Sequence, residues 1–184
     1  MPAALAIVLG LLYLATRPLG GQPRPSIFVI GSIAPGVQIG QIAPGSAEAG
    51  SSPPLTLVDL EGGDLSLSRY AGHPIWLIFW KTACQPCEAE APDVAAALAA
   101  HHADGLITLG VDVWDTEAVI RDYAATHLPP YSIGIDPTSS FMSAYGVWGA
   151  PTHYFIDADG IIRDRYFGPM TRDQIEQSLS QILR

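Results

Sequence analysis

Cys84 and Cys87, with Gln85 and Pro86 between them, are the only two cysteines among 184 residues. A C-x-x-C that follows an apolar strand and opens a helix is the arrangement expected of a redox dithiol. Its chemistry would be thiol–disulfide exchange, in which a thiolate attacks a disulfide sulfur and a second thiol resolves the mixed disulfide. At the start of a helix, unpaired backbone N–H groups and the helix dipole favour a thiolate over a thiol at Cys84. A purely structural disulfide across so short a loop adds little chain-entropy stabilisation. A four-ligand zinc site needs two more ligands, and His101 and His102 are adjacent rather than three to five residues apart. No metal is expected.

The elements that would position the pair can be read from the pattern. Ile75–Trp80 is an unbroken apolar run bounded by Pro74 and Lys81, the signature of a buried strand. Glu88 through Ala100 is rich in Ala, Glu and Leu and reads as the helix. Upstream, Leu55–Leu60 and Leu65–Ser68 alternate around Glu61-Gly62-Gly63, a hairpin signal. Downstream, Leu106–Val113 reads as a strand. Asp115 or Thr116 then caps a helix to about His127, with Val119, Ile120 and Tyr123 inward. Ser132–Ile135 is a short strand and Phe141–Tyr145 a short helix. Thr152–Ile156 turns through Asp157–Gly160 into Ile161–Phe167, and Thr171 caps a last helix with Ile175, Leu179 and Ile182 inward. Strands alternating with helices, closed by a hairpin and helix, predict a mixed α/β sandwich.

The first residues are of another composition. Met1 to Thr16 carries no charged side chain, and the run is shorter than the roughly 20 residues of a full membrane span. It reads as a retained anchor over residues 1–17 in preference to a cleaved signal, since no A-x-A-like site stands out. Residues 18–52 form a Gly-, Pro- and Ser-rich linker, within which Ile30–Gly36 and Ile39–Gly45 share the pattern Ile-Gly-x-Ile-Ala-Pro-Gly. One echo is too little for a repeat architecture. The net charge of −9, with 9 Lys and Arg dispersed, excludes a basic surface for nucleic acid. With 48% apolar residues the remaining 53–184 can bury a sizeable core.

Phe79-Trp80-Lys81-Thr82-Ala83-Cys84-Gln85-Pro86-Cys87-Glu88-Ala89-Glu90-Ala91-Pro92 resembles the active-site segment of the thioredoxin superfamily, in particular of its membrane-anchored TlpA/ResA-like thiol-disulfide oxidoreductases. Gly146–Thr152 with Phe155–Gly160 resembles that family's cis-proline loop and following hairpin. The resemblance covers about residues 53–184. It implies a thioredoxin-like three-layer sandwich around a central mixed β-sheet, tethered outside the cytoplasm, that reduces protein disulfides, often those of apocytochrome c. Arg17 and Arg24 follow the apolar run and no basic residue precedes it, so the positive-inside rule taken alone favours the opposite orientation.

The resemblance also distributes roles. Cys84 becomes the exposed nucleophile and Cys87 the resolving thiol. Pro151 becomes a cis residue set against the sulfurs, Glu90 an acid that carries the Cys87 proton, and Pro92 a helix kink. Two positions depart from the family: Ala83 stands where Trp is usual, and Lys81, the only lysine, stands where a small residue is usual. Lys81 could favour the Cys84 thiolate or attract an acidic partner; otherwise it is a solvated loop residue. Thioredoxin's buried strand acid is replaced by Ile78. Leu77 occupies the place where a peroxidatic cysteine motif needs proline, which argues against a peroxidase. No cofactor is implied beyond the Cys84–Cys87 disulfide; electrons would come from a protein donor and pass to a protein disulfide. The alternative is a non-catalytic binding module or accessory subunit of a membrane complex.

Overall fold

In a computed structural model of the chain, residues 36–46, 55–127 and 129–183 are described. The expected anchor and most of the expected linker lie outside them. Among the described residues no helix is long and apolar enough to cross a membrane.

Seven strands form one mixed sheet in the order β2-β1-β5-β4-β3-β6-β7. They are β1 (Leu57–Val58), β2 (Asp64–Leu65), β3 (Ile75–Trp80), β4 (Ile107–Asp112), β5 (Ser132–Ile135), β6 (Thr152–Ile156) and β7 (Ile162–Phe167). The helices are α1 (Gln85–Ala100), α2 (Glu117–Thr126), α3 (Ser140–Tyr145) and α4 (Arg172–Leu179). The mixed α/β sheet that the resemblance implies is therefore present. β3 pairs in parallel with β4 and antiparallel with β6, with Ile78 opposite both Gly110 and His153. All six β3 residues are buried, because both faces of this central strand are covered by other elements.

Side chains alternate across the sheet, so the register divides the core in two. On one face Ile75, Leu77, Phe79, Leu109, Val111, Tyr154 and Ile156 pack under α3 and the Leu67–Tyr70 turn. On the other, Trp76, Ile78 and Phe155 meet Val94 and Ala97 of α1 and Ile175 and Leu179 of α4. Trp80, Ile133 and Ile135 continue that face beneath Ile120 and Ala124 of α2. Ile182, expected inward on the last helix, is buried just beyond the end of α4.

Two expectations need correction. Val119 is 45% exposed. At 100° per residue the inward stripe of α2 runs through Ile120 and Ala124, and Val119 falls to its solvent side. Residues 36–46, read within a linker, pack along the sheet instead. Gly40 N–H donates to the Ile162 carbonyl, Ala43 N–H to Gly160, and Ile162 N–H to Gln41. Val37 and Ala43 are buried in the α3-side core. Tyr145 Oη donates to the Pro44 carbonyl at 2.9 Å. The segment covers the outer edge at the start of β7, where Ile162 would otherwise present unpaired backbone groups.

Candidate active site

β3 ends at Trp80, and Lys81–Ala83 carry the chain to the start of α1. Ala83 adopts φ 49°, a left-handed conformation that turns the backbone sharply into the helix. Thr82 N–H donates to Asp115 Oδ2 at 2.6 Å, which ties this loop to the chain leaving β4. Cys84 is the N-cap of α1, and Pro86, which has no N–H to leave unpaired, stands in the first turn.

Cys84 and Cys87 are joined as a disulfide. Cys84 Sγ accepts the Cys87 backbone N–H at 3.3 Å, so the helix terminus is aimed at this sulfur. Its other neighbour is the Ala150 carbonyl oxygen, 3.8 Å away. The Ala150–Pro151 bond is cis, the isomer that the resemblance implies. Thr152 Oγ1 donates to the Gly149 carbonyl and Gly168 N–H to the Pro151 carbonyl, so this loop is braced on both sides of Pro151.

The exposure of the two sulfurs is opposite to expectation. Cys84 is 7% exposed, and Cys87 is the half-buried one. In the oxidised pair Cys84 is tucked between the first turn of α1 and the Ala150 carbonyl, whereas Cys87 faces a cavity of about 370 Å³ between α1 and α2. Lys81, Glu88, Glu90, Tyr123, His127 and Tyr131 also line that cavity. Lys81 therefore stands at the rim beside Cys87 and Glu90. Ala83 is exposed, and Trp148, two residues before Ala150, is a large aromatic side chain that is 67% exposed.

Glu90, one helical turn beyond Cys87, is 4% exposed. Met170 N–H donates to its Oε2 at 2.9 Å. His153 Nε2 lies 3.3 Å from the same oxygen. The His153 ring is fully buried, and Trp76 Nε1–H donates to its Nδ1 at 3.3 Å. Asp112 is a further buried carboxyl, opposite Trp80 at the end of β4. Burial, reinforced by the nearby Asp115 charge, pushes it up to about 7, with Lys81 pulling weakly the other way. Burial likewise raises the Tyr131 hydroxyl well above its ordinary range.

The structure thus gathers Cys84, Cys87 and Pro151 at one end of the sheet and places Glu90 in the cavity beside Cys87. His153, Trp76 and Asp112 escaped the sequence reading. The available signal was a histidine and an aspartate inside otherwise apolar strands, where a polar side chain needs a partner.

Comparison with known proteins follows the same lines. Residues 49–165 match the AhpC/TSA family. The chain is 32% identical to the thiol-disulfide oxidoreductase ResA of Geobacillus thermodenitrificans over 136 residues, 74% of this chain and 78% of that one. It is 33% identical to the thioredoxin-like protein YneN of Bacillus subtilis over 138 residues, 73% of this chain and 80% of the relative. Among solved structures it resembles StoA from Bacillus subtilis, with a TM-score of 0.58 and 25% identity, over 68% of this chain and 95% of that one. A thiol:disulfide interchange protein from Chlorobium tepidum shares the fold, with a TM-score of 0.65 at 21% identity, over 80% of this chain and 99% of that one.

Proposed function

The chain belongs to the AhpC/TSA family and is a thiol-disulfide oxidoreductase, and from that premise we propose that it reduces protein disulfides through Cys84 and Cys87. The observation that carries this reading is the Cys84–Cys87 disulfide at the N-terminus of α1, facing the Ala150–Pro151 loop. In the reduced state the Cys87 N–H and the first turn of α1 stabilise negative charge on Cys84 Sγ, which makes Cys84 the attacking thiolate. Its attack on a partner disulfide forms a mixed disulfide and releases one partner thiolate. Cys87 then attacks Cys84 Sγ, freeing the second partner thiol and restoring the disulfide. Glu90, buried one turn away in the same cavity, takes the proton that Cys87 sheds. Pro151 and its neighbours form the wall against which an extended partner segment lies. Trp148 gives that segment an apolar contact that Ala83 does not.

The tether belongs to the same proposal. Residues 1–17 anchor the protein in a bacterial membrane, part of 18–52 spans the gap, and the folded body works on the extracytoplasmic side, where disulfide exchange has oxidised substrates to act on. The uncharged run from Met1 to Thr16 supports the anchor. Apocytochrome c disulfides are the substrate class to test first. Cys87→Ser is the test, because it should stall the mixed disulfide on Cys84. A partner protein captured through Cys84, and released by reductant, supports the reading. Failure of Cys87→Ser to trap any protein, with Cys84→Ser keeping its cellular role intact, would favour a docking module instead.

A further inference from the structure

We propose that His153 is a positioning residue for the Glu90 carboxylate, held in the required tautomer by the Trp76 indole, so that Glu90 presents a free oxygen to Cys87. The inference rests on the reading of Cys84 and Cys87 as an exchanging dithiol. It concerns a buried chain of three side chains that runs from Trp76, near the start of β3, to the cavity.

An indole N–H can only donate. Trp76 Nε1–H points at His153 Nδ1 at 3.3 Å, so Nδ1 accepts and the ring proton is on Nε2. A proton on Nδ1 would set two N–H groups head to head. His153 Nε2 is buried with no hydrogen bond of good geometry, and 3.3 Å from it lies Glu90 Oε2. That carboxylate oxygen also accepts the Met170 N–H. One oxygen of Glu90 thus accepts the Met170 N–H and has His153 Nε2 beside it, while Oε1 has no protein donor among the described residues. Neighbours fixed against one oxygen hold the carboxylate plane and so orient its second oxygen.

The other titratable groups around the pair are Lys81, Glu88, Tyr123, His127 and Tyr131, which line the cavity from α1, α2 and the loops. On β7 the cross-strand neighbour of His153 is Tyr166, whose hydroxyl accepts from Gln174. His153 is the side chain that stands against Glu90 from the sheet. In the resolving step Cys87 passes its thiol proton to Glu90 Oε1, and its sulfur bonds to Cys84 Sγ. The bond from Cys84 to the partner sulfur breaks, and the partner leaves as a thiolate that takes a proton from water. The enzyme dithiol is oxidised and the partner disulfide reduced; a protein dithiol donor returns the enzyme to its starting state.

The experiment uses the reduced protein and the chromogenic disulfide 5,5′-dithiobis(2-nitrobenzoate), which releases one thiolate when Cys84 attacks and a second when Cys87 resolves. The rate of the second release is followed from pH 4 to 9 in the parent, His153→Leu, His153→Gln and Trp76→Phe, each checked for cooperative melting. His153→Leu should displace the acid limb upward by about one pH unit, a roughly tenfold loss of rate on that limb. His153→Gln, whose amide N–H replaces Nε2–H, should stay within about twofold of the parent across the range. Trp76→Phe keeps an aromatic ring at the site, though a smaller one, but frees the tautomer, and should move the limb in the same direction by less. A His153→Leu profile that overlays the parent, or one lowered equally at every pH, overturns the proposal. If His153→Leu does not fold, a displaced limb in Trp76→Phe with none in His153→Gln supports it, and identical profiles overturn it. Failure of the dithiol reading itself would look different, because the parent would then show no second release.

Discussion

On the face of the sheet under α3, Phe79, Phe141, Tyr145 and Tyr154 pack ring against ring, with centroids 4.9 to 5.9 Å apart. Both tyrosine hydroxyls there have partners, the carbonyls of Pro44 and Tyr145. On the face under α1, α2 and α4, four buried polar atoms among the described residues lack a well-formed partner: Trp80 Nε1, Thr108 Oγ1, Asp112 Oδ2 and His153 Nε2. The pairing of β3 with β4 and β6 puts all four on that one side. An unsatisfied buried polar atom costs about 1–3 kcal/mol, so this arrangement reduces stability. The dithiol, Glu90 and the cavity lie on the same side. Both faces carry an apolar core, but the buried polar groups without partners are gathered on the face that also holds the dithiol.

That division can be broken in order of expected effect. Cys84→Ser should lower disulfide reduction by at least about a thousandfold while leaving the melting temperature of the reduced protein within a few degrees. A variant that retained activity would move the chemistry away from this face. Phe79→Ala removes a fully buried ring from the other face and should lower the unfolding free energy by about 3–5 kcal/mol in urea titrations. The pH–rate profile of the folded fraction should not move. A displaced profile would show that the aromatic face also tunes the site.

Asp112→Asn tests the polar face through pH. Because folding raises this carboxyl to about 7, the folded state holds its proton more tightly than the unfolded chain. Its contribution is therefore full at pH values below the unfolded range near 4 and is lost as pH rises through about 7. Parent and variant should unfold alike at pH 4, and at pH 8 the variant should be more stable by on the order of 2–4 kcal/mol. Equal stabilities at both pH values would place Asp112 in a solvated setting.

The smallest effect is expected at His101, which joins the end of α1 to α4 through hydrogen bonds to Glu176 and Asp104, both 2.7 Å. These partners raise its affinity for a proton, Glu176 more than Asp104. The gain is full below pH 6.5 and is lost as pH rises past it. His101→Gln should cost about 0.5–1 kcal/mol at pH 5 and less at pH 9, measured by the same titrations. A cost independent of pH would mean that the ring acts by packing.

How much of this was legible in the sequence differs between the faces too. The bounds of β3, β5 and β6 follow from apolar runs closed by turn residues, and α2 and α4 from their caps. The dithiol, its place at a helix start and Pro151 follow from a motif with known context. Less local facts were hidden. Residues 36–46 read as linker because their composition resembles one, and only the open edge of β7 gives them a place. The burial of Cys84 depends on a carbonyl 66 residues away in sequence. His153 is on the polar face because the register sets it beside Ile78, a pairing that no single strand reveals. Gly110 is small because Tyr131 and Trp80 fill the space its side chain would need.

The central claim is that the Cys84–Cys87 pair is a reducing dithiol, and its reduction potential tests that most directly. Equilibration of the purified protein against glutathione or dithiothreitol buffers, read by alkylation of the free thiols, should give a value near about −250 mV at pH 7. A value near about −120 mV, the range of strong oxidants, would contradict it.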